Sequence, residues 1–197
     1  MPATPLAEIA LTSPVPGPQD RRVAQARLQI VIDSLMATVI FNPLLTAICI
    51  PAFAVDGSPF GPVPASRLVL AELLQLVSGA VAFAIYRRYR LVTEANAPQV
   101  QRLLIAGQAL FSGVWGAIVF LCWMPGNFVN QLFIVMLMAL VSYSVIFARS
   151  VHLQLLTVAL AVQGGMTLLR LVTAGGALAH LMAPIILAYA SYLWIMG

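Results

Sequence analysis

The residues of this chain with the greatest chemical potential are a few ionisable and amide side chains inside long apolar stretches. Glu72 and Gln75 are three positions apart, so they share one face of a helix, whereas Arg170 and His180 flank the junction between two later stretches. An unpaired charge in lipid costs at least about 2.5 kcal/mol, so such residues either pair or serve a ligand. A carboxylate beside an imidazole also shifts the imidazole pKa, which permits proton sensing. The pattern predicts a ligand-binding or proton-sensing polar pocket made of Glu72, Gln75, Arg170 and His180.

A structural role for the same four residues is the alternative. Long cationic side chains can extend toward water, and carboxylates and amides can bond to neighbouring helices inside a bundle. The sequence does not show how each helix is rotated, so both interpretations stay open at this point.

No catalytic chemistry is indicated elsewhere in the chain. It has no glycine-rich phosphate loop, no paired carboxylates and no nucleophile with an adjacent base, so we expect no catalytic residues and no enzyme activity. No group of Cys and His has the spacing of metal ligands, and neither a metal nor another cofactor is predicted. His152 and His180 are about a bilayer thickness apart, which is too far for two ligands of one haem iron.

The elements that must position these side chains follow from composition. The 197 residues are 61% hydrophobic and only 8% charged, with a mean hydropathy of +0.98, which leaves too few polar groups to cover a water-soluble globule. A membrane-spanning helix needs about 20 apolar residues. We predict an all-α integral membrane protein, a bundle of six transmembrane helices in three antiparallel hairpins, at about 28–50, 68–85, 103–123, 128–147, 151–172 and 178–196.

The N-terminal segment differs from the rest. Residues 1–26 begin with a proline-rich stretch without apolar periodicity and are predicted to form a mobile cytoplasmic tail, with a short helical extension starting near Asp20. Residues 27–197 form the transmembrane domain. All ten cationic residues are arginines near the ends of apolar runs, which topology explains better than nucleic-acid binding does.

The arginines also predict orientation. Cationic short loops stay in the cytoplasm, and eight of the ten arginines fall on one side of a six-span arrangement. Both termini are therefore expected in the cytoplasm, and we place the chain in the inner membrane of a bacterium. The topology anchors are Arg87, Arg88, Arg90 and Arg149.

Helix packing is predicted at two places. Asn42-Pro43 interrupts the first run, because proline removes a backbone donor and clashes with the preceding turn, and the Asn42 amide is expected to bond to a neighbouring helix or a freed carbonyl. In the third run, Gly113 and Gly116 allow another helix to come close, and Trp115 packs in the bundle or against a bound hydrophobic molecule. Cys49 and Cys122 lie near the same membrane face, where a disulfide is geometrically conceivable and two buried free thiols are the alternative.

The order of these features resembles the N-terminal membrane regions of bacterial diguanylate cyclases and hybrid sensor histidine kinases. The resemblance covers about Arg27 to Met196 and depends on four short motifs. These are Arg27-Leu28 before the first helix, Arg87-Arg88-Tyr89-Arg90 after the second, Gly113-Val114-Trp115-Gly116 in the third, and Asn130-Gln131-Leu132-Phe133 in the fourth. The resemblance implies a signal-input module that passes its signal through the sixth helix.

Members of that family continue into a cytoplasmic cyclase or kinase domain, whereas this sequence stops at Gly197 without either signature. We therefore expect either a piece of a longer sensory protein or an orphan of its membrane region. The sequence predicts sensing of a hydrophobic or membrane-derived signal, with membrane lipids, a quinone or another hydrophobic small molecule as partner, and assembly as a homodimer or within a larger membrane complex. The alternative is an accessory subunit of a photosynthetic or respiratory assembly that fills a gap or shapes a lipid or quinone route. A small transporter is a third class, but matched broken helices are not evident.

Overall fold

The protein is described here by a computed structural model, which describes residues 17–55, 57–149, 151–174 and 177–196. These ranges contain six α-helices and no β-strand. The helices coincide with the six predicted apolar runs, and each of the first three is longer than predicted. They are α1 (Pro18–Ala54), α2 (Ala65–Arg88), α3 (Ala97–Cys122), α4 (Phe128–Arg149), α5 (Leu153–Ala174) and α6 (Ala177–Met196).

Helix α1 is 37 residues long and extends beyond the predicted span at both ends. It begins at Pro18, which suits a first helical turn, and the Asp20 carboxylate accepts a hydrogen bond from the Gly17 N–H at 3.0 Å. Residues 18–26, which the predicted tail includes, are helical, and α1 begins two residues before Asp20, near which a helical extension was predicted to start. Residues 1–16 of the predicted tail lie outside the described residues.

Two prolines lie inside α1 without ending it. Pro43 cannot donate to the carbonyl of Val39, and the Thr46 hydroxyl donates to the Asn42 carbonyl at 3.1 Å. Helix α2 approaches this point closely, because a Cβ atom at Gly79 would lie 3.7 Å from the Val39 carbonyl oxygen and 3.8 Å from the Pro43 ring. The proline position is thus a contact between α1 and α2.

Helix α3 is the central helix of the bundle. It contacts α1, α2, α4 and α5, and it contributes buried residues along its whole length. Its most extensive contact is with α5 rather than with α4, its neighbour in sequence. At Gly116 an added Cβ atom would lie 2.7 Å from the Met166 Cβ, so only glycine allows α3 and α5 to pack this closely. Helix α6 packs on α5, and α2 packs between α1 and α3.

The loops that connect the helices lie at the two ends of the bundle. At one end, which we call the basic end, the Gln25 amide donates to the Val92 carbonyl, and Gln29 accepts from the Val92 N–H at 2.9 Å and donates to the Arg90 carbonyl at 3.0 Å. These bonds attach the loop between α2 and α3 to α1.

At the opposite end, the connection between α1 and α2 folds over the turn between α3 and α4. Asn127 donates to the Pro59 carbonyl at 3.1 Å, and the rings of Phe60 and Phe133 are 4.6 Å apart, with Phe53 beside both. This segment covers the apolar core between α3 and α4.

The outer surface of the bundle is apolar. Helices α1 to α5 are long and apolar enough to cross a membrane, judged by length and composition. Large side chains such as Phe41, Ile48 and Met136 are each about two-thirds exposed, at 66%, 64% and 64%. Such a surface is unfavourable in water and favourable in hydrocarbon, which suggests a membrane protein.

Candidate functional site

The described residues of the predicted polar pocket are not brought together. Arg170 on α5 places its guanidinium over the ring of Phe120, 5.6 Å from the centroid, and over Trp123 at 5.9 Å, so its described partners are aromatic rings of α3. Within the described part of the chain, neither Arg170 nor Glu72 forms an ion pair, and Glu72 Oε2 has no hydrogen-bond partner. No contact among the described residues therefore supports a pocket shared by Glu72 and Arg170. The side chain of His180 lies outside the described residues.

Gln75 is fully buried on the face of α2 that packs into the bundle. Its side-chain oxygen and its carbonyl both accept from the Ser78 hydroxyl, at 3.5 and 2.9 Å, while its Nε2 atom has no partner among the described residues. The same helical face carries Gly79 toward Pro43. Gln75 therefore packs between helices and does not share a pocket with Arg170.

A different polar site lies between α1, α3, α4 and α5, and we call it the polar cavity. It has a volume of about 50 Å³, enough for one or two water molecules. Its lining residues are Thr38, Asn42, Gln108, Phe111, Ser112, Trp115, Val141, Ser144, Val145, Arg149 and Gln163.

Arg149 is the charged residue of this cavity. Its side chain is only 3% exposed, its Nε donates to Gln108 Oε1 at 2.9 Å, and its Nη1 donates to the Ser34 hydroxyl. Gln108 in turn donates to Ser112 at 3.2 Å. Arg149, which was predicted as a topology anchor, turns its side chain into the bundle and links α4 to α1 and α3.

The other three predicted anchors behave differently. Arg87, Arg88 and Arg90 are exposed at the basic end. The guanidinium groups of Arg88 and Arg90 lie 5.8 Å from the ring centroids of Tyr89 and Tyr86, respectively. These contacts leave the charges accessible to solvent or to headgroups.

A sequence signal for the polar cavity existed but was not used. Thr38 and Asn42 are four residues apart on α1, and Gln108 and Ser112 are four apart on α3, so each pair lies on one helical face. Two such polar pairs in apolar helices indicate faces directed at each other. The burial of Arg149 had no such signal, because an arginine at the end of an apolar run is usually placed at the interface.

An apolar groove adjoins the polar cavity. It has a volume of about 220 Å³, and Gln163 lines both spaces. The amide of Gln163 donates to the Met138 carbonyl at 3.1 Å and to the Ser142 hydroxyl at 3.0 Å, which fixes this side chain between them. The groove is formed by α4, α5 and α6 and is lined by Val135, Met138, Ala139, Ser142, Gln163, Gly164, Thr167, Ile185, Ile186 and Tyr189.

Of the two glycines that were predicted to allow close packing of helices, one contacts another helix and the other does not. Gly116 faces Met166 as described above, whereas a Cβ atom at Gly113 would have no atom within 4 Å. Trp115 is buried and lines the polar cavity on one side and a small apolar cavity on the other. That small cavity also touches Cys49 and Cys122, which are free thiols. The Asn42 side chain lines the polar cavity without a hydrogen bond to any described residue.

The arrangement can bind an amphipathic molecule from the lipid. The groove supplies apolar contact area, and hydroxyl and amide groups of Ser142, Thr167 and Gln163 supply a small number of polar contacts. Compared with known protein families, with curated proteins and with solved structures, the chain has no match in any of the three.

Proposed function

We propose that this chain is a non-catalytic membrane module that binds a hydrophobic small molecule and serves as a signal-input region, as its resemblance to the membrane regions of diguanylate cyclases and sensor kinases implies. In this proposal six helices span the inner membrane of a bacterium as three hairpins, and both termini are cytoplasmic. The basic end, with Arg87, Arg88 and Arg90 exposed, faces the cytoplasm because cationic loops resist translocation.

The observation that carries the proposal is the apolar groove beside the polar cavity. A groove of about 220 Å³ accommodates the ring of a quinone or a comparable flat molecule, with its tail in the surrounding lipid. Gln163 already donates to Met138 and Ser142, and the Thr167 hydroxyl donates to the Gln163 carbonyl, so the groove holds the ring mainly by apolar contact. Because α6 contributes one wall of the groove, occupancy of the groove changes the packing of α6 on α5, which gives a route from ligand to the end of the chain.

A binding measurement tests this proposal. A short-chain ubiquinone analogue added to the detergent-purified chain is expected to raise its unfolding temperature, since a ligand that binds only the folded state adds about 2.7 kcal/mol at 100 times its dissociation constant. Gly164→Leu should abolish the effect, because Gly164 lines the groove and a Cβ atom there meets no atom within 4 Å. The larger side chain therefore takes up volume in the groove.

Gly165→Leu is the matched control. A Cβ atom at Gly165 also has open space, but Gly165 lines a different groove, between α5 and α6. Equal stabilisation of the Gly164→Leu and unsubstituted proteins would show that the groove is not the binding site. Failure of any quinone or lipid extract to bind, together with co-purification of the chain in a larger assembly, would favour the accessory-subunit alternative.

A further inference from the structure

A second pocket lies at the basic end, away from the groove and the polar cavity, and we call it the basic-end pocket. It forms where the first turns of α1, the start of α3 and the turn between α4 and α5 meet. Its volume of about 490 Å³ is within the range of small-molecule sites. Arg27, Gln101, His152 and Gln154 supply its polar lining, and Leu28 and Leu153 supply apolar lining.

His152 is the residue that points to a ligand. Its Nδ1 atom is buried and has no hydrogen-bond partner among the described residues. The backbone of His152 is already used, because its carbonyl accepts from the N–H groups of Leu155 and Leu156 at 3.0 and 3.2 Å. A buried ring nitrogen without a partner is costly, and a ligand atom in the pocket would satisfy it.

The neighbouring groups favour an anion. His152 precedes α5, and Leu153 and Gln154, which line the pocket, are the first two residues of this 22-residue helix, so the pocket lies at the positive end of the helix dipole. Gln101 donates to Gln154 Oε1 at 2.7 Å, which holds the Gln154 side chain and leaves its amide nitrogen as a donor. Arg27 adds a full positive charge that acts on His152.

One acidic residue also lines the pocket. The Asp20 carboxylate accepts from the Gly17 N–H at 3.0 Å, so it stabilises the first turn of α1. An anion is therefore favoured on the side of the pocket formed by Arg27, His152 and the start of α5. The apolar side chains of Leu28 and Leu153 beside these donors suit a molecule that is polar at one end and apolar at the other.

We propose that the basic-end pocket binds a phosphate group, with an anionic phospholipid headgroup as its source. Arg27 and the Gln154 amide donate to the phosphate oxygens, and His152 Nδ1 bonds to the headgroup. The acyl chains then lie along Leu28 and Leu153 toward the lipid. This site is independent of the apolar groove, and its failure would leave the proposed quinone site untouched.

Native mass spectrometry of the purified full chain tests the proposal. The chain is titrated with short-chain phosphatidylglycerol, with short-chain phosphatidylcholine and with inorganic phosphate, and bound copies are counted. We expect one tightly bound phosphatidylglycerol and about fivefold weaker binding by Arg27→Gln, the effect of one arginine at a membrane surface. Arg90→Gln is the matched control, because Arg90 is an exposed arginine of the same end that does not line the pocket, and it should retain the affinity.

Each outcome either identifies the source of the phosphate group or contradicts the proposed site. Binding of inorganic phosphate that competes with phosphatidylglycerol would identify soluble phosphate as the ligand of the same pocket. Equal binding of phosphatidylglycerol and phosphatidylcholine, or equal losses in the Arg27 and Arg90 variants, would overturn the proposal, because diffuse surface charge would then explain the binding. As a second readout, the imidazole NMR signals of His152 should shift with phosphatidylglycerol in the unsubstituted protein, and unchanged signals would contradict the contact.

Discussion

Gly116 shows how one residue sets the distance between two helices. A Cβ atom there would lie 2.7 Å from Met166 Cβ and closer still to its sulfur. We predict that Gly116→Ala lowers the free energy of unfolding by about 1–3 kcal/mol, the usual cost of overpacking. Thermal unfolding in detergent measures the change, and Gly113→Ala, which meets open space on the same helix, should leave stability unchanged or raise it by up to about 1 kcal/mol, because alanine favours a helix over glycine. Equal effects of the two substitutions would contradict the close packing of α3 on α5.

His152 gives a prediction about pH. Burial lowers the pKa of His152 below its ordinary value of 6.5, the residue's own backbone offsets part of this lowering, and the positive charge of Arg27 adds a smaller lowering. The unfolded chain therefore binds a proton at higher pH than the folded chain does, so the contribution of His152 to stability is present above pH 6.5 and is lost as the pH falls through the folded-state pKa. The unfolding temperature should fall between pH 7.5 and pH 5.5, and His152→Gln should reduce that fall. An identical pH dependence in the variant would show that other groups are responsible.

At the scale of elements, α1 holds the loop between α2 and α3. Gln29 accepts from the Val92 N–H and donates to the Arg90 carbonyl, at 2.9 and 3.0 Å. Gln29→Leu removes both bonds, at a cost of about 1 kcal/mol for each, together with the bond that Gln29 donates to the Asp33 carboxylate within α1. We predict faster tryptic cleavage after Arg88 and Arg90 in this variant, because the loop opens more often. Gln99→Leu, at an exposed position of α3, should cleave at the original rate.

The number and order of the helices could be predicted because each apolar run is long and ends at arginine, proline or glycine. Which helices pack against each other could not be predicted, because hydropathy does not report how each helix is rotated about its own axis. Arg149 and Arg170 illustrate the limit. The roles of both were predicted from their positions near the ends of apolar runs. In the structure, Arg149 turns toward Gln108 and Ser34, and Arg170 turns toward Phe120 and Trp123. The candidate site is therefore identified by the packing of the helices and not by the positions of charged residues in the sequence.

For the whole molecule, the proposed orientation predicts which loops reagents can reach. Pro62 and Glu94 are both exposed, at the opposite end and the basic end of the bundle, respectively. With Cys49 and Cys122 replaced by alanine, Pro62→Cys should react with a membrane-impermeant maleimide in intact cells, and Glu94→Cys should react only after lysis. The reverse pattern would invert the orientation, and reaction of both in intact cells would contradict a membrane-spanning arrangement.

The length of α1 has a mechanical consequence. At 1.5 Å per residue its 37 residues measure about 55 Å, and its apolar part from Leu28 to Ala54 measures about 40 Å, beyond the roughly 30 Å of a hydrocarbon layer. A helix whose apolar stretch is longer than the hydrocarbon layer tilts, and its tilt increases when the bilayer becomes thinner. Because Gln25 and Gln29 bond to the loop between α2 and α3, we expect this tilt to displace α2 and α3 laterally at the basic end. Lipid thickness would then act on this protein as a stimulus of its own, with no molecule in the groove.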